Sequence, residues 1–191
     1  MLKAVLVKDA RGEEYITVAT HGFPLGKEVY HPDTNGVIIA DIERHLGKTD
    51  ISLARLRPGF RYENVTFESD ASNPIPLTNI RNFSTLLFAE RLYMDNSFTG
   101  YLGALLVLKD YCRIPVDDST VPKYHWVWQK WMYLGQRTLE DQLLGSCGSP
   151  IWDRNGDLVG FFRYLITQGP MAGWAVGVPA KELENFGFAL A

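Results

Sequence analysis

Cys147 lies in Leu-Leu-Gly-Ser-Cys-Gly-Ser-Pro, residues 143 to 150, between Gly145 and Gly148. A thiol attacks as its thiolate, and from an ordinary pKa of about 8.5 it needs a base or nearby donors to ionise at neutral pH. His21 closes Glu-Tyr-Ile-Thr-Val-Ala-Thr-His and offers such a base, because imidazole titrates near neutrality. Asp50 opens Asp-Ile-Ser-Leu-Ala-Arg-Leu and supplies a carboxylate able to fix that imidazole's tautomer and stabilise its charge. Gly145 permits a turn in which its N–H and that of Cys147 point together, a donor pair for a developing oxyanion. Gly148 and Pro150 shape the exit into the next strand. Together these residues would carry out acyl transfer through a covalent thioester. Each also has a plainer reading: Cys147 as a small buried hydrophobe, His21 as a satisfied strand-end histidine, Asp50 as a turn residue.

Other polar residues point to no second chemistry. His31, His45 and His125 lack metal-ligand spacing, and Cys112 and Cys147, the only two cysteines, are too far apart in sequence for a zinc pair. No metal and no cofactor are expected. Trp126, Trp128, Trp131 and Tyr133 read as core packing with one exposed edge, and Cys112 beside Tyr111 as core. A net charge of -3, with 19 scattered Lys and Arg, gives no basic stripe for a nucleic-acid partner. No run approaches the ~20 apolar residues of a membrane-spanning helix, so no membrane partner is expected. The apolar run before Lys8 is too short for the core of a secretory signal. With two cysteines, a cytoplasmic, reducing setting is the expectation, although a fragment cut from a larger polypeptide would read the same way.

The elements that must position these residues are short strands. Alternating or β-branched runs recur in LKAVLVK, EYITVAT, GVIIADI, DISLARL, TLLFAERLYM, YLGALLVLKDY, DLVGFFRYLIT and GWAVGVP. Turn chemistry separates them, and Asp-Arg-Asn-Gly-Asp at 153 to 157 predicts a tight hairpin. An all-β barrel or sandwich architecture follows. The exception is Pro-Ala-Lys-Glu-Leu-Glu-Asn-Phe-Gly, where Pro179 suits a first helical turn and Gly187 a helix end. The polar, proline-containing stretch ESDASNPIPLTN marks a boundary, giving units 1–78 and 79–191.

On Val-Ala-Thr-His-Gly, Thr-Asp-Ile-Ser-Leu-Ala-Arg-Leu and Gly-Ser-Cys-Gly-Ser-Pro-Ile-Trp-Asp, in that order, the chain resembles trypsin-like peptidases of the chymotrypsin fold. Residues 60 to 140 carry no motif that extends the resemblance. It implies two antiparallel six-stranded barrels and a short C-terminal helix, with His21 and Asp50 supplied by the first barrel and Cys147 by the second. The implied activity is endopeptidase action on a peptide or protein substrate. The resemblance also assigns substrate contacts to Asp141, six positions before Cys147, and to Arg163, Tyr164 and Leu165. There are departures. Cysteine replaces the usual serine, Ser146 replaces an acid used in zymogen activation, and Arg163 and Leu165 stand where small residues are usual. Only about two strands precede His21, so either the first barrel lacks a strand or the chain begins inside a longer protein. Two functions follow: a peptidase with a His21–Asp50–Cys147 triad, or a catalytically silent protease-like domain whose cleft binds a peptide or partner protein.

Overall fold

Leu102, Ala104 and Leu106 are buried and alternate with half-buried Gly103 and Leu105, as a pleated strand with one face on a core requires. The same logic recurs through a computed structural model that describes residues 4–23, 26–47, 49–66, 73–114, 124–133 and 145–191, with backbone only at 110–114 and 124–133. In chain order the strands are β1 (Leu6–Lys8), β2 (Glu14–Ala19), β3 (Glu28–His31), β4 (Val37–His45), β5 (Ile51–Leu56), β6 (Asn79–Ile80), β7 (Arg91–Met94), β8 (Leu102–Ile114), β9 (Tyr124–Tyr133), β10 (Pro150–Asp153), β11 (Asp157–Leu165) and β12 (Trp174–Pro179). A short helix, α1 (Lys181–Asn185), and a last strand, β13 (Ala189–Leu190), complete the described chain.

Two sheets result. The first is six-stranded, in the order β13-β1-β2-β5-β4-β3. In the second, β10, β7, β8, β9, β12 and β11 are successive antiparallel neighbours, and β10 also pairs with β11, so these six strands close on themselves. The two-residue β6 adds to β11 in parallel. The all-β, two-barrel architecture expected from the sequence is therefore found, with one small strand added.

Three differences have local causes. First, β1 and β2 do precede His21, and the first sheet reaches six strands because residues 189 and 190 return to pair with Val7 and Lys8. That return covers the outer edge of β1 and carries the last strand of the chain onto the first sheet. Second, Pro179 ends β12 instead of opening the helix, and Ala180 is the N-cap of α1. Gly187, at φ 85°, follows the helix in the left-handed region as expected of a helix-ending glycine. Third, Thr85 to Met94 is not one strand: a 3-10 turn occupies Phe83–Thr85, and only Arg91–Met94 is extended. Among the described residues no helix is long and apolar enough to cross a membrane.

The Asp153-to-Asp157 hairpin forms as its composition predicts. Asp153 Oδ1 accepts from the N–H groups of Asn155 (2.8 Å) and Asp157 (3.2 Å), and Gly156 takes φ 80°.

Each sheet encloses an apolar cluster, around Ile16, Val18 and Ile42 in the first and around Leu92, Leu106 and Phe162 in the second. A third cluster joins them, packing Val5, Tyr15 and Leu53 of the first half against Trp152, Phe161 and Leu183 of the second. Full burial of each such side chain contributes about 1.5–3 kcal/mol, so the seam between the sheets is itself a core. The residues with chemistry converge along this seam.

Candidate active site

β2 ends at Ala19, and the chain turns through one 3-10 turn, Thr20–Gly22, that carries His21 out of the sheet. The neighbouring strand anchors this turn. Thr20 N–H donates to the Asp50 carbonyl at 2.9 Å, and Thr20 Oγ1 lies 2.7 Å from Ser52 Oγ, which in turn is 2.7 Å from His45 Nδ1. Ser52 is fully buried, so this hydroxyl bridge replaces water for three polar groups.

Asp50 precedes β5 at φ 61°, a left-handed conformation that aspartate tolerates better than most residues. The Thr49 side chain braces it, donating to the Leu46 carbonyl at 2.9 Å and accepting from Ile51 N–H at 3.1 Å. The Asp50 carboxylate then meets His21 twice: Oδ1 accepts from the His21 backbone N–H at 2.9 Å, and Oδ2 lies 2.7 Å from Nδ1. Asp50 is 8% exposed and His21 37%. This is an oriented imidazole with a buried carboxylate behind it.

Cys147 comes from the second half. Gly145 (φ 77°) and Gly148 (φ 84°) bracket it in conformations open to glycine. Ser149 N–H donates to the Ser146 carbonyl, while Gly148 N–H donates to Phe162 and Phe162 N–H to Ser149, tying the turn to β11. Among the described residues, the N–H groups of Gly145 and Cys147 have no acceptor. The hydroxyls of Ser146 and Ser149 are buried without a partner.

The half-buried Cys147 thiol donates to the Arg163 carbonyl at 2.8 Å. Hydrogen bonding to Asp50, and next to Cys147, raises the His21 pKa from about 6.5 to about 9, while burial and the charge of Arg163 act against the rise.

β11 has a bulge at this point. Phe162 pairs with Gly177 and Tyr164 with Val176, so the register shifts by one residue at Arg163. A bulge re-aims the extra residue. Here the Arg163 carbonyl faces Cys147 Sγ, and its Nη1 donates to Asp50 Oδ2 and touches His21 Nδ1.

Five residues singled out in the sequence, His21, Asp50, Gly145, Cys147 and Arg163, thus converge at the seam. The Arg163 side chain is directed to the Asp50–His21 pair. Tyr164 and Leu165 continue β11 opposite Val176 and Ala175, with Leu165 packed against the second core. Asp141 lies outside the described residues. Two features were missed. Ser52 reads as an ordinary inward strand residue, and the carbonyl of Arg163 is set by a bulge that leaves no compositional trace. Among the described residues no group of His, Cys, Asp and Glu is placed to hold a metal ion.

No protein-family model and no curated protein matches the sequence. Solved structures do. A glutamic acid-specific serine protease reported to use a histidine triad in substrate binding superposes at a TM-score of 0.70 with 13% identity, over 98% of this chain and 92% of that one. The Nocardiopsis protease NAPase gives 0.67 with 13% identity, over 97% and 89%. Cellulomonas bogoriensis chymotrypsin gives 0.64 with 9% identity, over 100% and 97%. At such identities the likeness establishes architecture: the chain has the chymotrypsin fold of these serine proteases.

Proposed function

We propose that the protein is an endopeptidase that cleaves peptide bonds by acyl transfer, with Cys147 as nucleophile. The observation that carries this reading is the pairing of Asp50 with His21, Oδ2 lying 2.7 Å from Nδ1, with the Cys147 thiol near enough to be among the causes that raise the His21 pKa. With Nδ1 engaged, Nε2 is the ring nitrogen left to serve the thiol. Nε2 takes the thiol proton as sulfur bonds to the substrate carbonyl carbon. The carbonyl oxygen becomes an oxyanion held by the N–H groups of Gly145 and Cys147. On collapse the C–N bond breaks, and Nε2–H gives its proton to the departing amine. Water then attacks the thioester, with His21 taking its proton, and the C–S bond breaks to return the thiol and release the acid. Asp50 orients the ring throughout.

The test is hydrolysis of a mixed peptide library by the wild-type chain and by Cys147→Ala. Wild-type cleavage that falls at least about 10³-fold in the variant supports the reading. No wild-type cleavage, together with no alkylation of Cys147, overturns it.

The thiol's bond to the Arg163 carbonyl favours a second reading, a silent protease-like domain that binds a peptide in the seam, because it directs the thiol proton away from the imidazole. Cleavage gained on Cys147→Ser would assign the framework to a hydroxyl nucleophile.

A further inference from the structure

Phe98 stands on the loop between β7 and β8 and is 61% exposed, although its ring lies against the turn that carries Cys147. A methyl group built on Gly145 would sit 3.3 Å from Phe98 Cε1, 3.5 Å from Cδ1 and 3.6 Å from Cζ, so the ring edge is one side-chain length from the Gly145 backbone. Single exposed apolar residues are common on protein surfaces and mean little by themselves. What distinguishes Phe98 is its neighbour, whose N–H is one of the two oxyanion donors of the proposed mechanism.

The loop holds this position with its own bonds. Asn96 is buried; its Oδ1 accepts from the N–H groups of Phe98 at 2.9 Å and Thr99 at 3.1 Å, and its carbonyl accepts from Gly100 N–H at 2.8 Å. Tyr101, at the end of the loop, stacks on Tyr93 of β7 with ring centroids 5.6 Å apart. The Phe98 backbone is thereby fixed before a ligand arrives, while the exposed ring can still adjust to one, which keeps the ordering cost of a contact low. The loop presents no exposed charge to compete with the ring: Asp95 is buried, and Ser97, Thr99 and Gly100 are neutral.

The two ends of the turn meet different walls. Its exit is bound to β11, Gly148 N–H donating to the Phe162 carbonyl and Phe162 N–H to the Ser149 carbonyl. Its entry, Gly145, meets Phe98. We propose that Phe98 is a specificity-determining residue: its ring forms an apolar wall at the entry of the Cys147 turn and selects peptides with an aromatic or branched aliphatic side chain beside the bond presented to Cys147. This rests on the reading that a peptide crosses that turn, and it names the class of peptide. Packing of one apolar side chain against a single ring gives roughly 3- to 10-fold selectivity.

The experiment selects a random octapeptide library on the immobilised full chain in the Cys147→Ala background, where peptides stay intact, and reads the retained peptides by mass spectrometry. Peptides containing Phe or Leu should be enriched over the input by about 3- to 10-fold. Adding Phe98→Ser should remove that enrichment, and adding Phe98→Leu should keep it. Phe88→Ala deletes another strongly exposed aromatic ring and should change nothing. Near-ultraviolet circular dichroism verifies folding, and Phe98→Gln repeats the comparison if the serine variant does not fold. Enrichment that persists without the Phe98 ring overturns the proposal, as does an equal loss of all peptides, which would make the ring only a support for the turn. Cleavage of the same library by the chain with Cys147 intact is scored separately. Selection that depends on Phe98 without any cleavage removes the peptidase reading and leaves the proposal standing; cleavage with no dependence on Phe98 does the reverse, and neither selection nor cleavage overturns both.

Discussion

Gly148 and Ala19 are where the turn that carries Cys147 touches the strand that delivers His21. A methyl group added to Gly148 would lie 3.1 Å from Ala19 N and 3.3 Å from Ala19 Cβ. The backbone at Gly148 is also left-handed, at φ 84°. Gly148→Ala should therefore force the two halves of the site apart and carry the left-handed penalty of about 1–2 kcal/mol. In a chain of this length that lowers Tm by about 2–8 °C. Calorimetry and Cys147 alkylation together check it, with both Tm and alkylation rate expected to fall.

Gly145→Ala meets a softer obstacle. Its methyl would lie 3.3 Å from the edge of the Phe98 ring, which is mostly exposed and can yield. The positive φ of 77° remains unfavourable, so the N–H of residue 145 should be re-aimed. On the proposed mechanism, loss of one oxyanion donor should lower turnover by about 10²–10³-fold. Peptide kinetics should show the loss in kcat with little change in KM.

Asp50→Asn should keep the turn but remove the charge that favours the protonated form of His21. The His21 pKa should fall from about 9 toward its ordinary value, because the hydrogen bond to Asp50 is the leading cause of the rise. Peptide turnover should drop by about 10³–10⁴-fold, as expected when the imidazole loses its tautomer partner. Histidine titration by NMR and initial rates check the two halves of this expectation.

His21 couples stability to pH. Its folded-state pKa of about 9 lies above the unfolded value of about 6.5, so its stabilising contribution is complete below about 6.5 and is lost as pH rises through 9. Its partial exposure screens the effect. In urea titrations the stability difference between wild type and His21→Gln should be widest below pH 6.5 and should shrink toward pH 9.5.

Ser52→Ala removes the hydroxyl between Thr20 and His45 in a fully buried position. Orphaning buried polar partners costs about 1–3 kcal/mol. Chemical denaturation should show that loss, and hydrolysis should fall as well, because Thr20 holds the turn that carries His21.

Much of this was legible because it depends on neighbours in the chain. The turn at Asp153 to Asp157 is encoded by Asn-Gly flanked by carboxylates, and Gly145 and Gly148 announce a left-handed backbone around Cys147. Alternation along Leu102 to Leu106 names both the strand and its buried face. The same signal misleads where no sheet neighbour completes it: Leu87 and Phe88 read as strand yet are strongly exposed, and Ala89 turns at φ 60°. Hydrophobicity marks a face only when a second layer is present to cover it.

Residue types and spacing along the chain specify short strands, tight turns and a set of groups able to exchange protons. They do not specify that β13 returns to close the edge of β1, or that a bulge turns Arg163 toward Asp50 and His21. Those contacts join residues more than a hundred positions apart, and their register is set by packing of the two sheets across a common core, which no local pattern encodes.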